Sequence, residues 1–445
     1  MAKNTNKKTV TNSDGFTMPD RDGRPYKVHV VSGSHWDREW RFTAVQSKLR
    51  LGDLLDDLLD ILDNNPDYRC YHVDGGAIVL EDYMTIRPEN KSRIQKFINE
   101  GRISLSNWYT LPETNIVSPE ALIRNLLVGK RLAADFGGSM KAGYTATGYG
   151  QPSQLPQIYR GFGIDNALFY RGTNKHQTPP VCQWEGRDGS QLLLVRGFDE
   201  TTRTNWFFYA YQPLALNKSP RDLSYKYNPE DHAVHMADDT LYNMGFTILN
   251  EKFELNSDKD HLLKGYEPFR DQAYKYAIGN QVLGMDMEDN IYPWAPLPKL
   301  IAELNKVLDD TEIQQSSMDE MFEAIAEEVE GVDLHVEKGE LRYAGIEHGF
   351  NGLLGMTQSS RMKIKILNDE CETSLITIAE PLSAISAALG NRYPRVHLDE
   401  AWSGLLKNHS HDSICGAAVD KAHEDMLNNF SECKTISDEV TKRSS

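Results

Sequence analysis

Short apolar runs alternate with amphipathic helical patterns through the first half of the chain. Residues 27–32 (KVHVVS) have the β-branched, apolar character of a buried strand. Residues 48–62 follow, with leucines on one helical face and aspartates on the other. The alternation continues with strands predicted at 71–73, 103–108, 140–144, 166–170 and 191–195 and helices at 91–100, 119–136 and 154–161. This order predicts parallel strands joined by right-handed crossovers, with the chemistry on loops after the strands' carboxyl ends.

The alternation stops in two places. Residues 196–275 are aromatic and polar without a clear period, and we interpret them as a long insertion or lid. Residues 359–389 form one long helical pattern with Pro381 inside it, so that the helix kinks there or two helices meet. Two more helical patterns, at 397–407 and 419–430, predict a small helical bundle in this part of the chain.

Charge and cysteine content exclude several classes of protein. The net charge of the chain is −17, and so acidic a chain is repelled by nucleic acid and by anionic membranes. Five scattered cysteines without a CxxC pair indicate reduced thiols in the cytoplasm, not a disulfide framework. No apolar run approaches the ~18–20 residues of a membrane span. Residues 1–24 are polar and lack the apolar region of a secretory signal, so we expect a disordered leader there.

The segment Ser34-His35-Trp36-Asp37-Arg38-Glu39-Trp40 directly follows the first strand. His35 and Asp37 are two positions apart, so on an extended segment their side chains point to the same side. An imidazole and a carboxylate that converge in this way suit a divalent metal of the zinc type. Trp40 supplies an apolar face that suits a sugar ring. A hydrogen-bonded loop without a metal is the alternative explanation of this motif.

A second motif, Asn408-His409-Ser410-His411-Asp412-Ser413-Ile414-Cys415-Gly416, lies in the helical part of the chain. Its two histidines and its aspartate can supply one further ligand to the first site. Capping of a helix end by Asp412 and Ser413 is the alternative. Cys415 has no base beside it in the sequence, which favours a packed thiol over a nucleophile.

Taken together, the two motifs resemble glycoside hydrolase family 38, the retaining α-mannosidases. Intervening stretches agree with the family in order, namely DGG at 74–76, GRI at 101–103, NWY at 107–109, VSPEALIRN at 117–125, QLPQIY at 154–159 and FYRG at 169–172. The resemblance covers residues 27–430. Through 87–91 and 407–409 it is similar to the bacterial branch that includes 2-O-α-mannosylglycerate hydrolase.

The resemblance implies a metal-dependent α-mannosidase that acts on an α-mannoside or a mannosyl conjugate. His35, Asp37 and His411 match the family's metal ligands, with zinc as the expected ion. Trp40 and Arg171 match residues that bind the substrate, and Asp286 matches the acid/base. The implied fold is of the α/β class, a distorted parallel β/α barrel over 25–330 followed by a three-helix bundle over 335–440. Homo-oligomerisation is left open, and the family's downstream β-sandwich domains are not expected in this sequence.

The sequence departs from the family at the nucleophile. Thr147 stands where the family has an aspartate, and no Asp or Glu lies between Asp135 and Asp165. At the acid/base loop, Glu288 and Asp289 stay open as alternatives to Asp286. We therefore keep three hypotheses: a retaining hydrolase, a catalytically impaired protein that binds mannosides, and an inverting enzyme in which water attacks. Retaining and inverting enzymes differ in the spacing of their carboxyl groups, ~5–5.5 Å against ~6.5–9.5 Å.

Overall fold

The computed structural model describes residues 8–145, 148–196, 203–215, 217, 219–220, 254–343 and 354–445. In the part of the chain so described, none of the helices has the length and apolarity needed to cross a membrane. All five cysteines are buried free thiols.

The strands are short and mostly buried. They are β1 (Thr9–Thr11), β2 (Thr17–Pro19), β3 (Tyr26–His35), β4 (Tyr71–Asp74), β5 (Ile103–Leu105), β6 (Asn166–Phe169), β7 (Val181–Glu185), β8 (Gln191–Arg196), β9 (Gln281–Asp286), β10 (Thr311–Gln315) and β11 (Val336–Lys338).

Helices connect and cover these strands. They are α1 (Ala44–Asn64), α2 (Ile78–Met84), α3 (Lys91–Asn99), α4 (Pro119–Ala134), α5 (Leu155–Gly161), α6 (Gln212–Ala215), α7 (Lys259–Ala273), α8 (Leu297–Val307), α9 (Met318–Val329), α10 (Met362–Thr373), α11 (Glu380–Ala388), α12 (Arg395–Asn408), α13 (His411–Cys415) and α14 (Asp420–Ser444). Single 3₁₀ turns lie at Pro88–Asn90, Tyr274–Tyr276 and Gly355–Gln358, and π-helical turns lie at Phe207–Tyr211 and Ser374–Ala379.

Strand β3 is the centre of the main sheet. It pairs in parallel with β9, with β10 and, at its carboxyl end, with β4, which in turn pairs with β5. Almost every residue of β3 is buried, as expected for a parallel strand whose two faces are both covered. The α/β class with a parallel sheet, predicted from the alternation, is confirmed.

A second sheet has the order β11-β7-β8-β6, in which only the β7–β8 pair is antiparallel. The predicted strand at 140–144 links the two sheets but is reduced to isolated contacts. Met140 N donates to Leu105 O over 3.0 Å, and Tyr144 forms a parallel bridge with Leu168. Apart from the separate pair β1–β2, the described strands therefore pair as two sheets joined by this connection, and their pairings do not form a closed ring.

Much of the described part of 196–275 packs into the core, and the interpretation of this range as an insertion or lid stays a prediction. Trp206 and Phe269 are fully buried, and their rings meet edge to face with centroids 5.1 Å apart. The Asn205 side chain bonds the backbone of strand β9, as donor to Leu283 O over 2.9 Å and as acceptor from Met285 N over 2.7 Å. A helix is recognised in a sequence by a single apolar face, and aromatic residues on several faces remove that periodic pattern.

Residues 9–19 form an antiparallel hairpin, which corrects the expectation of a disordered leader for this stretch. The Asn12 carboxamide oxygen accepts from the backbone N–H groups of Asp14 and Phe16, and so closes the turn. Phe16 packs on the ring of His335 with centroids 5.1 Å apart. A local turn and a tertiary contact therefore order a stretch whose composition is polar.

The helical part begins with α10, the π-helical turn and α11 in one continuous run, 362–388. The predicted break at Pro381 takes the form of the π-helical turn just before it, because proline offers no N–H to the preceding turn. Helices α12 and α14 pack along each other, and their buried side chains include Trp402, Leu405 and Phe430. The short helix α13 lies between them in the chain and carries His411.

Candidate active site and metal centre

His35 ends strand β3 beside Asp74, which ends the neighbouring strand β4. The His35 Nδ1 atom lies 2.7 Å from Asp74 Oδ2. A carboxylate oxygen can only accept here, so Nδ1 donates, and Nε2 is the ring nitrogen that a metal would bind after its proton is released. Both side chains are buried. The strand pairing therefore fixes the position of the imidazole and which of its nitrogens faces Asp74.

Asp37 lies just beyond His35 and is held by its backbone. Its N–H donates to the Asn290 side-chain oxygen over 3.0 Å, and Asn290 N donates to His35 O over 2.8 Å. The Asp37 Oδ1 atom lies 3.1 Å from His35 Nε2. That oxygen is buried, and when Nε2 carries no proton it has no hydrogen bond, which is costly unless a cation binds it.

His411 reaches the same point from the helical part. Its backbone N–H donates to Leu111 O over 2.9 Å, and Ser410 forms a bridge with Pro112. These bonds dock α13 on the loop that follows β5. The His411 Nε2 atom lies 3.5 Å from Asp37 Oδ1 and 3.5 Å from Asp412 Oδ2.

One atom from each of His35, Asp37 and His411 lies within 4.8 Å of the other two, and all three residues are buried. Two imidazole nitrogens and one carboxylate oxygen are a donor set suited to zinc. Burial lowers the pKa of His411 to about 3, so its imidazole is neutral. Burial also works against protonation of His35, but the Asp37 and Asp74 carboxylates outweigh it and raise its pKa to about 10. A bound divalent cation would take the place of that proton.

Asp289 is the carboxylate of the β9 loop that lies level with this cluster. It forms a parallel bridge with His35, and its Oδ1 accepts from Arg203 Nη2 over 2.5 Å. Arg203 Nη1 also donates to Met287 O over 3.0 Å. Burial alone would raise the pKa of Asp289, but the positive charges of Arg203 and His35 lower it below its ordinary value.

Asp286 lies three residues earlier in the chain, at the end of strand β9, where it is in register with Ser32. It lines a small cavity with aromatic walls that include Tyr68, Tyr71 and Trp294. None of the three clustered residues lines that cavity. Burial raises the pKa of Asp286 to about 7. The structure therefore brings His35, Asp37 and His411 together and places Asp286 beside them, not among them.

The two predicted substrate-binding residues have different surroundings. Trp40 is half-buried, its ring lies 4.4 Å from the Arg41 guanidinium carbon, and its carbonyl accepts from Val419 N over 2.8 Å. The Arg171 guanidinium lies 4.8 Å from the Tyr149 ring centroid, and its buried Nε has no hydrogen bond. Thr147, the residue at the nucleophile position, lies outside the described residues.

Two family models match this chain. The model of the glycosyl hydrolases family 38 N-terminal domain matches residues 25–344. The chain belongs to glycosyl hydrolase family 38. The model of the alpha mannosidase middle domain matches residues 356–444, the part that carries α10 to α14.

Individual relatives agree with this family. A protein of Halalkalibacterium halodurans named "Putative mannosylglycerate hydrolase" is 30% identical over 420 residues, 91% of this chain and 40% of its own length. Human alpha-mannosidase 2C1 is 22% identical and matches 92% of this chain and 34% of its own length. The crystal structure of an alpha-mannosidase from Enterococcus faecalis V583 superposes with a TM-score of 0.77 at 26% identity, covering 94% of this chain and 42% of that one. The chain thus spans well under half the length of these relatives.

Several residues around this candidate site were not predicted individually from the sequence. Asp74 could have been found, because it ends the strand that follows β3 in the chain. Asn290 could not, because its role depends on pairing across about 250 residues of sequence. Glu113 is fully buried, and its carboxylate accepts from Tyr149 N over 2.8 Å and from Asn115 N over 3.2 Å. Burial raises the pKa of Glu113 to about 7.

Proposed function

We propose that this chain hydrolyses terminal α-mannosyl linkages with a bound divalent metal, most simply zinc. The observation that carries the proposal is the convergence of His35, Asp37 and His411 within ligand distance of one another in a family 38 chain. When bound, such a metal acts as a Lewis acid that can hold and polarise sugar hydroxyls. Family membership supports the glycosidase, and the cluster supports the metal.

Asp286 and Asp289 are the proposed carboxyl groups of the reaction. Glycosidases need one carboxyl group that keeps its proton near neutral pH and one that is ionised. Burial gives Asp286 a pKa of about 7, suited to a general acid. Arg203 keeps Asp289 ionised beside the cluster, suited to stabilising positive charge on the sugar ring. We therefore assign proton donation to Asp286 and the role of the ionised carboxylate to Asp289.

A mannosyl conjugate with an acidic aglycone is the proposed substrate. The name of the Halalkalibacterium relative refers to mannosylglycerate, whose glycerate carries a carboxylate. Arg171 offers a buried Nε–H donor without a partner, which suits a carboxylate or a sugar hydroxyl. The exposed part of the Trp40 ring offers an apolar surface for a sugar face.

The decisive experiment is α-mannoside hydrolysis by the purified chain with zinc, beside its Thr147→Asp and His411→Ala variants. Turnover by the unmodified chain that is lost in His411→Ala supports the proposal. Turnover only in Thr147→Asp would show that the pocket is intact but lacks its nucleophile. Loss of a nucleophile raises the barrier by several kcal/mol, and each ~1.4 kcal/mol lowers the rate tenfold. If neither the unmodified chain nor Thr147→Asp turns over or binds a mannoside, the proposed function is contradicted. The anomeric configuration of the first product separates retention from inversion.

A second candidate function is mannoside binding without hydrolysis. The observation that favours it is the absence of any Asp or Glu between Asp135 and Asp165 in the sequence. Saturable binding of a mannoside by the unmodified chain, with turnover only after Thr147→Asp, would favour this candidate.

Finer features of the fold and the location complete the proposal. We propose that the two sheets curve as a distorted barrel and that α10 to α14 form a three-helix bundle, as the resemblance implies. Five buried free thiols support a cytoplasmic location, where thiols stay reduced. Size-exclusion chromatography with light scattering would decide whether the chain forms a homo-oligomer.

A further inference from the structure

The clustered residues His35, Asp37 and His411 come from two distant parts of the chain. A buried hydrogen bond joins those two parts beside the cluster. Ser413 Oγ donates to Glu39 Oε2 over 3.0 Å, across 374 residues of sequence. Ser413 is fully buried and Glu39 is 9% exposed. A backbone hydrogen bond lies next to it, in which Val419 N donates to Trp40 O over 2.8 Å.

The two partners stand at equivalent positions relative to the clustered side chains. Glu39 lies two residues after Asp37, and Ser413 lies two residues after His411. The atoms that face each other within the cluster, Asp37 Oδ1 and His411 Nε2, are 3.5 Å apart. A bond between the residues just beyond each ligand therefore constrains the separation of the ligands themselves.

Glu39 is in turn held by Arg38, its neighbour in the loop after β3. Arg38 forms an ion pair with Glu39, and its Nε donates to Asp82 Oδ2 in α2 over 2.8 Å. A buried ion pair adds little to stability compared with apolar packing, because both ions lose their hydration. It does fix geometry, because each charge must stay where its partners are. The arrangement thus aims a rigid carboxylate at Ser413.

We propose that Glu39 is a positioning residue of the metal centre, which holds α13 through Ser413 so that His411 and Asp37 stand at ligand distance. The inference rests on the proposed metal site. Its consequence is that affinity for a divalent metal depends on the Glu39–Ser413 bond, although neither residue is a ligand.

A matched control exists on the same interface. Lys407 of α12 forms an ion pair of 2.9 Å with Glu81 of α2. This pair also joins the helical part to the α/β part, but neither residue adjoins a clustered side chain in the sequence. A purely structural role of interface contacts would affect the Lys407 variant and the Glu39 variant alike.

The test is zinc affinity, measured on the full chain by competition with a chromophoric chelator. The variants are Glu39→Ala, Glu39→Gln, Ser413→Ala, the double variant and Lys407→Ala. We expect Glu39→Ala and Ser413→Ala each to weaken zinc binding about 10–100-fold, the range found for residues that orient metal ligands. The double variant should bind zinc no more weakly than the weaker-binding single variant, because both substitutions remove the same hydrogen bond. Glu39→Gln should keep most of the zinc affinity, because a serine hydroxyl can bond an amide as donor or as acceptor.

Each outcome decides the proposal. Wild-type zinc affinity in both Glu39→Ala and Ser413→Ala would overturn it, and so would an equal loss in Lys407→Ala. If Glu39→Ala fails to fold, Ser413→Ala, which removes a single hydroxyl, gives the answer alone. No zinc binding by the unmodified chain would instead show that the metal site itself is wrong, and the positioning role with it. The absorption spectrum of the cobalt-loaded protein adds a readout of ligand geometry.

Discussion

The Nδ1 atom of His35 donates a hydrogen bond of 2.7 Å to Asp74 at the ends of two adjacent parallel strands. The bond fixes the ring and leaves Nε2 facing Asp37. Outer carboxylates of this kind set the tautomer of a metal-binding histidine and strengthen it as a ligand. The sheet register therefore orients His35 as the proposed metal site requires.

Replacing Asp74 by alanine should weaken zinc binding by about 10–100-fold, because His35 would lose the acceptor that fixes its tautomer. Asp74→Asn should lose less, since the amide oxygen can still accept. Asp60→Ala is the control, because Asp60 lies on the exposed face of α1 in an ion pair with Arg93. Titration against a chelator measures the affinities. Equal zinc affinity in Asp74→Ala and in the wild type would contradict the role given to Asp74.

Zinc should stabilise the folded chain, and His411→Ala should abolish most of that effect. A ligand that binds only the native state adds about 2.7 kcal/mol at a free concentration one hundred times its Kd. Thermal unfolding with zinc and with a chelator measures the difference. His397→Ala is the control, because His397 is exposed on α12. A zinc-dependent shift of the same size in His411→Ala would show that the metal binds elsewhere.

Asp286→Asn should change how stability depends on pH. Burial raises the pKa of Asp286 to about 7 from its ordinary 3.8. The contribution of a group whose pKa is raised on folding is complete below the unfolded pKa and is lost as pH rises through the folded one. Wild-type protein should therefore lose stability between about pH 4 and pH 7, by at most roughly 4 kcal/mol from this group.

The asparagine variant has no charge to bury, so its free energy of unfolding should rise relative to the wild type as the pH increases from about 4 to 7. Urea unfolding of both proteins at pH 5 and pH 8 measures the change. A difference in the free energy of unfolding that is the same at both pH values would refute the buried, protonated state of Asp286. If Asp286 is the general acid, kcat/KM should also fall above about pH 7.

Local patterns were sufficient for the elements that carry the first motif. The strand at 27–32 and the helix at 48–62 both exist, as Tyr26–His35 and Ala44–Asn64, because apolar side chains recur with a clear period. The longer α1 begins at the capping box of Thr43 and Gln46. The pairing of His35 with Asp37 also follows from their spacing. The second motif was a candidate source of one further ligand, and the family resemblance singled out His411 within it.

Other features depend on contacts that the sequence does not encode locally. The hairpin at 9–19 has three-residue strands, too short for a period, and depends on the packing of Phe16 against His335. The choice between Asp286 and Asp289 depends on the register of β9 against β3, across about 250 residues. Only that register shows that Asp289 lies level with His35.

Arg203→Ala should destabilise the protein far more than Arg270→Ala, although each removes an Arg–Asp pair. The Arg203 and Asp289 side chains are 11% and 25% exposed, while Arg270 and Asp310 are 33% and 49% exposed. Loss of Arg203 removes the hydrogen-bonded partner of the Asp289 charge, at a cost of roughly 3 kcal/mol. Loss of Arg270 should cost less than about 1 kcal/mol.

Combining Arg203→Ala with Asp289→Asn should recover much of this loss, because the unpaired charge is removed as well. Urea unfolding gives the free energies of unfolding for the four members of that cycle. If Arg203→Ala cost no more than Arg270→Ala, or if Asp289→Asn gave no recovery, then Arg203 would not hold an ionised Asp289. The ionised carboxylate beside the metal cluster would then have to come from another residue.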